Sequence, residues 1–161
     1  MIKKFEIFNE SLRDKLKGKS EDDVFSGMNK LPLDKQFEIT IKYGLTSLMK
    51  KLIDAGVDPT MLWNRAINHA VIQGNLDMVI MLLKDDRVDP SSQMNASIKN
   101  ASKKGYIDIV RLLLKDDRVD PSAGNNYAVR NAYQKGHYDI VKELMKYDSV
   151  KDGLRSEEIM N

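Results

Sequence analysis

The ten residues LLKDDRVDPS occupy positions 82–91 and recur without change at positions 113–122. Gly44 lies 30 residues before Gly74, which indicates an earlier copy that is one residue shorter. Repetition on this scale predicts a chain that builds one structural unit about four times. Three residue types keep the same offset of 31 residues across three copies: Gly74, Gly105 and Gly136; Pro59, Pro90 and Pro121; Asn64, Asn95 and Asn126.

Each copy has the pattern of two helices. In the second helix, apolar residues at i, i+1, i+4 and i+5 form a broad stripe, as in Ile109, Val110, Leu113 and Leu114. One helix pair cannot bury both of its faces, whereas stacked copies bury them in a continuous core. The sequence therefore predicts an all-α solenoid of four units, at residues 31–60, 61–91, 92–122 and 123–150. In the first helix, two positions three residues apart share the buried face: Phe37 and Thr40, Ile67 and Ala70, Ile98 and Ala101, Val129 and Ala132.

Local signals mark the helix ends. The repeat glycine suits a left-handed C-terminal cap of the first helix. An Asp three residues later places negative charge in the first turn of the second helix. The valine of the shared segment is expected beneath the end of that helix, and the proline prevents the helix from continuing. We expect Asn64, Asn95 and Asn126 to cap the first helices, with direct ligand contact as the alternative.

Composition limits the class of protein. The chain has 161 residues, no cysteine and a net charge of +2, so disulfides, thiolate metal sites and cysteine catalysis are excluded. The charge balance does not favour nucleic acid or an anionic membrane as the partner. No apolar run approaches the roughly 20 residues that span a bilayer, and Glu6 and Glu10 interrupt any signal peptide. We therefore expect a cytoplasmic protein.

The repeats resemble ankyrin repeats. The stretches that carry the resemblance are NAYQKGHYDIVKELMK (131–146) and LIDAGVDP (52–59). The period is 31 rather than about 33 residues, and the threonine of the family's T-P-L-H signature is replaced by Arg65, Ala96 or Tyr127. The projecting hairpin fingers of the family are expected to be truncated to tight loops. This short form is similar to ankyrin proteins of large DNA viruses and some phages.

The two ends of the chain depart from the repeat. Two helices are predicted here, FEIFNESLRDKL (5–16) and EDDVFSGMNKL (21–31). Ser20, followed by Asp23, is predicted to be the N-cap of the second. We predict that residues 1–30 form a helical cap on the array. Alternatively, FNESLRDKLKGKSEDDV (8–24) resembles a leader found on tailed-phage proteins. Residues 151–161 are predicted to be a polar tail that ends in a short helix or frays.

Catalytic and metal-binding patterns are missing from the sequence. His69 and His137 occupy different repeat positions and are expected to be structural, without a second metal ligand at helical spacing. The Asp85–Asp86 pair lies beside Lys and Arg in a turn and lacks an EF-hand pattern. No phosphate-binding or nucleophile motif is present. We predict no enzyme activity, no metal and no cofactor.

The resemblance implies where a ligand would bind. In ankyrin-like arrays ligands meet the concave side, which the first helices build, and the two positions before each repeat glycine face that way. Trp63 and Tyr127, at the loop-to-helix junctions, are large aromatics able to anchor a partner, with packing against a neighbouring loop as the alternative. The positions before the glycines, called here the pre-glycine residues, are Lys42, Tyr43, Ile72, Gln73, Lys103, Lys104, Gln134 and Lys135.

These features favour a non-catalytic protein-binding module with one macromolecular partner. The viral resemblance suggests that the partner is a host protein, such as a defence factor, which would be inhibited or redirected in the host cytoplasm. The alternative is a structural or virion-associated phage component carried by its N-terminal leader. Nucleic-acid binding is disfavoured, because the net charge is too small for several phosphate contacts.

Overall fold

The computed structural model describes residues 26–28 and 30–154 of the chain. They fall into two compact units, one that extends to Val57 and one that begins at Asp58. Residues 26–28 are helical. The helices after them are α1 Leu33–Tyr43, α2 Thr46–Asp54, α3 Met61–Gln73, α4 Leu76–Leu82, α5 Ser92–Lys104, α6 Ile107–Leu113, α7 Ala123–Gln134, α8 Tyr138–Leu144 and α9 Asp148–Asp152.

The first unit is built around the α1–α2 pair. Phe37 of α1 and Met49 of α2 are fully buried, as the repeat pattern predicts. Met28 packs with Ile39 and Leu48 in one apolar cluster, so the end of the predicted N-terminal cap contacts the first repeat. Residues 1–25 and 29 of that cap, which include the predicted N-cap at Ser20 and the leader segment, lie outside the described residues.

The second unit contains three helix pairs in two layers. The first helices α3, α5 and α7 pack side by side, and the second helices α4, α6 and α8 form the other layer. The sequence pattern predicts this arrangement. The small and β-branched residues of the first helices and the apolar stripe of the second helices can both be buried only where the two layers meet. Ile67, Ala101, Val110 and Leu113 are all buried there. The all-α solenoid prediction is confirmed.

The second helices end earlier than the prolines suggest. Helices α4 and α6 stop at Leu82 and Leu113, and the remainder of LLKDDRVDPS is a turn. In this turn Arg87 Nε donates to Asp85 Oδ1 at 2.9 Å and its terminal nitrogen donates to Oδ2 at 2.7 Å. Val88 is buried beneath the helix end, as predicted. The turn is therefore closed by its own ion pair and its valine rather than by the proline.

The predicted capping role of the repeat asparagines is wrong. Asn64, Asn95 and Asn126 lie inside the first turns with positive φ of 56–59°, a conformation that Asn tolerates better than most residues. Asn64 Oδ1 accepts a hydrogen bond from the Asp89 N–H at 3.0 Å. Asn95 Oδ1 accepts one from the Asp120 N–H at 2.9 Å. Each of these two asparagines therefore ties its own repeat to the turn that follows it.

Candidate functional site

The pre-glycine residues of the first unit are only partly available to a ligand. Lys42 is exposed at the end of α1. Tyr43 is half-buried, because it packs on the cluster that contains Met28 and Ile39. The Lys42 ammonium lies 5.5 Å from the centroid of the Tyr43 ring. Tyr43 therefore contributes to packing as well as to surface.

The second unit presents its pre-glycine residues to solvent. They stand at the C-terminal ends of three adjacent first helices. The exposed members are Ile72, Gln73, Lys103, Lys104, Gln134 and Lys135. We call the exposed side of α3, α5 and α7 together with Lys135 the first-helix face.

The glycines that follow these residues hold the helix ends close to the next repeat. Gly105 has a φ of 81°, and a Cβ built on it would lie 2.6 Å from the His137 ring. A Cβ on Gly74 would lie 2.9 Å from the Tyr106 ring. Only glycine combines this left-handed conformation with the missing side chain that the ring requires. The predicted structural role of His137 fits this packing, whereas Gly136 has no ring against it.

Tyr127 is the aromatic anchor candidate that the structure describes in full. Its side chain is 40% exposed at the start of α7. The Lys99 ammonium lies 5.9 Å from its ring centroid, within the range of a cation–π contact. A Cβ on Gly124 would lie 2.9 Å from the same ammonium, so the backbone beside the ring also confines Lys99. The backbone of Trp63 lies in the first turn of α3, and its side chain lies outside the described residues.

Two exposed residues of this face were missed in the sequence. Met94 is 82% exposed on the left-handed turn formed by residues 93–95, and Arg65 is exposed on α3. At each of these two repeat positions another copy also has a large side chain, since Met94 aligns with Trp63 and Arg65 aligns with Tyr127. Comparing side-chain size along these columns could have identified them.

Electrostatics also distinguish the first-helix face. His69 on α3 is partly buried, and burial followed by the charge of Arg65 lowers its pKa below the ordinary value of 6.5. An Asn–Asn contact links neighbouring helices, since Asn100 Nδ2 donates to Asn68 Oδ1 at 2.9 Å. The face therefore combines positive charge, amides and a few apolar side chains.

Several carboxylates of the turns are engaged in local contacts. The hydrogen bond from Arg87 lowers the pKa of Asp85, and the bond from Arg118 does the same for Asp116. Asp89 Oδ1 accepts from the Ser91 hydroxyl at 2.6 Å. Within the described residues, no group of three or more His, Cys, Asp or Glu side chains could hold a metal ion. The turns thus use their acidic residues to fix the backbone.

Comparison with known families identifies the repeat. A family model described as "Ankyrin repeats (3 copies)" matches residues 37–125, more than half of the chain. The chain belongs to the ankyrin repeat family. The ankyrin match ends at the beginning of α7, yet α7 and α8 pack on each other and on the preceding pair like the earlier repeats, so the structure adds a further ankyrin helix pair.

Membership of the ankyrin repeat family indicates the general class of function. Ankyrin repeats support a role as a protein–protein interaction module, and the match suggests a protein partner. A search of curated proteins found no match to the chain. In the part of the chain that the structure describes, no helix is long and apolar enough to cross a bilayer.

Proposed function

We propose that this ankyrin protein is a non-catalytic module that binds one protein partner through its first-helix face. The observation that carries the proposal is the row of exposed pre-glycine residues on three adjacent helices. Asn–Asp hydrogen bonds and glycine–ring contacts hold these helices in fixed register. A fixed surface loses little conformational freedom on binding, which favours affinity.

The composition of the face suits a protein ligand. Ile72 is 37% exposed and Tyr127 is 40% exposed, and both lie among Lys, Gln and Asn side chains. Aromatic and apolar anchors surrounded by polar residues are typical of protein interfaces. These anchors supply the contacts that the proposal requires.

The partner in our proposal is a host protein, which the module inhibits or redirects in the host cytoplasm. The support is the short 31-residue period and the RVDPS ending, which resemble viral and phage ankyrin proteins. The alternative, a virion-associated component carried by residues 1–30, rests on a segment whose residues 1–25 and 29 lie outside the described structure.

A matched pair of variants tests the face. Ile72 on α3 and Ile80 on α4 are 37% and 38% exposed, so replacing either with Ser removes a similar exposed apolar side chain. The proteins are used as bait in host-cell lysate, and captured proteins are compared by mass spectrometry. We expect Ile72→Ser to lose a protein that the parent and Ile80→Ser retain. Loss only in Ile80→Ser would place the interface on the second helices and refute the proposal.

A further inference from the structure

The first helices of the second unit carry one sign of charge. Their sequences contain no Asp or Glu. Every carboxylate between residues 58 and 154 lies on a second helix, on α9 or in a turn. Charge is therefore separated between the two layers, although the net charge of the chain is only +2. The six cationic side chains of the first-helix face are Arg65, Lys99, Lys103, Lys104, Arg130 and Lys135.

Several cations on the second helices and turns of this unit are paired with neighbouring carboxylates. Arg118 pairs with Asp116 at 2.7 Å, Lys146 pairs with Glu143 at 2.7 Å, and Arg111 contacts the same Glu143 at 3.4 Å. Among the described residues, none of the six cations of the first-helix face has a carboxylate within ion-pair distance. Their charge is thus left for a ligand to neutralise.

Positive charge is also held in place on this face. Lys99 lies over the Tyr127 ring at 5.9 Å and against the backbone of Gly124, so its ammonium is positioned before any ligand arrives. Cations that are already positioned recognise carboxylates at a smaller entropic cost than freely rotating ones.

We infer that the first-helix face binds an acidic polypeptide segment, in which Asp or Glu side chains cross α3, α5 and α7. This inference rests on the proposed function and names the chemistry of the partner. Neighbouring helix axes lie about 8–10 Å apart, and an extended chain covers about 3.3 Å per residue. A segment of roughly six residues therefore reaches across all three helices.

The exposed apolar residues favour a polypeptide over nucleic acid. Ile72 and Met94 offer aliphatic contacts to the side chains of a peptide, whereas a phosphate backbone gains nothing from them. Single-stranded nucleic acid binds through successive aromatic platforms. On this face, Tyr127 is the exposed aromatic ring that the structure describes.

The test measures binding of defined probes by fluorescence anisotropy. The first probe is a fluorescein-labelled peptide of about twelve residues, twice the minimal span, in which Glu alternates with Leu. The second has Gln in place of every Glu, and the third is an oligo(dT) of equal charge. The full chain should bind the Glu peptide, bind the Gln peptide far more weakly, and lose affinity as salt is raised.

Charge reversal then locates the site. Lys103→Glu, Lys104→Glu and Lys135→Glu together should weaken Glu-peptide binding at least about tenfold, because each exposed ion pair contributes a factor of a few. The control reverses three exposed lysines outside the first helices, which have no ion pair among the described residues: Lys84, Lys115 and Lys142. It makes the same change in net charge and should retain binding, and circular dichroism checks that both variants are folded.

Several outcomes would overturn the inference. These are equal binding of the Glu and Gln peptides, equal loss in both triple variants, and tighter binding of oligo(dT) than of the Glu peptide at the same salt. Failure of the proposed function gives a different result. If the charge-reversed protein still captures a host protein that Ile72→Ser loses, the first-helix face binds protein and only the acidic chemistry is wrong.

Discussion

The glycine–ring contacts give a stability test with a built-in control. Gly105 and Gly136 occupy the same repeat position with nearly the same φ, 81° and 78°. A Cβ on Gly105 would lie 2.6 Å from the His137 ring, whereas a Cβ on Gly136 would meet nothing within 4 Å. Alanine at either position incurs the left-handed backbone cost, but only Gly105→Ala also displaces a ring.

The magnitudes follow from these two terms. A non-glycine residue in the left-handed region costs about 1–2 kcal/mol, which we expect for Gly136→Ala. Forcing an extra methyl into a packed site adds about 1–3 kcal/mol, so Gly105→Ala should lose about 2–5 kcal/mol in total. Urea unfolding of the full chain, followed by circular dichroism, measures both free energies.

A double variant isolates the ring. Replacing His137 with Ala leaves space for the new methyl, so Gly105→Ala should cost no more in that background than Gly136→Ala costs in the parent. The interaction energy from the cycle should therefore equal the difference between the two single glycine variants. If Gly105→Ala and Gly136→Ala destabilise equally in the parent, the ring does not pack on Gly105 and the structural account of His137 fails.

Three further outcomes are expected. Leu113→Ala, in the centre of the buried stripe, should cost about 2–5 kcal/mol in the free energy of unfolding, and a melt like that of the parent would show the wrong buried face. Ser97→Ala should stabilise the protein by up to about 1–2 kcal/mol in urea unfolding, because the buried Ser97 hydroxyl has no hydrogen-bond partner among the described residues, and Ala66 and Ala128 occupy the same column. The lowered pKa of His69 means that the unfolded chain protonates first as pH falls, so stability should drop below about pH 6.5. His69→Gln should flatten that decline when unfolding is measured across pH, and an unchanged slope would show that His69 does not cause it.

The buried faces could be predicted because burial leaves a period in the sequence. In the second unit, the repeat position of Ile98 always holds a β-branched residue and that of Ala101 always holds alanine. The structure buries both positions between the layers. Val88 could be placed for the same reason, since an apolar residue in a charged turn has only the core to enter. Patterning of this kind depends on side-chain hydrophobicity alone.

The repeat asparagine could not be assigned from its residue type. An Asn near a helix start can cap the helix, accept a positive φ or bond to another repeat, and all three roles use the same side chain. For Asn95 the choice depends on the position of the Asp120 N–H, which is set by tertiary packing. The charge separation of the second unit, by contrast, could be predicted from the sequence, because its first helices contain no Asp or Glu. The net charge of +2, which sums over the whole chain, hides this separation.

The pre-glycine residues were selected from the family resemblance, and their use by a partner remains a prediction. The sequence could place them before helix ends, because the glycine marks each end. It could not show that Tyr43 is half-buried against its neighbours, since that depends on how Met28 packs. Backbone position was therefore predictable, whereas side-chain availability was not.

The ties between repeats have a consequence for how such a chain can grow. Asn64 bonds to Asp89 and Asn95 bonds to Asp120, so each tie spans the same 25 positions. Gly74 with Tyr106 and Gly105 with His137 likewise connect a repeat only to the one after it. Suppose that a copy of residues 92–122 were inserted after Ser122. Each junction would again contain the asparagine that accepts the hydrogen bond, the turn that donates it and the glycine that packs against the next ring. The two identical LLKDDRVDPS segments mark the boundaries where a gene could gain or lose one repeat without breaking the contacts on either side.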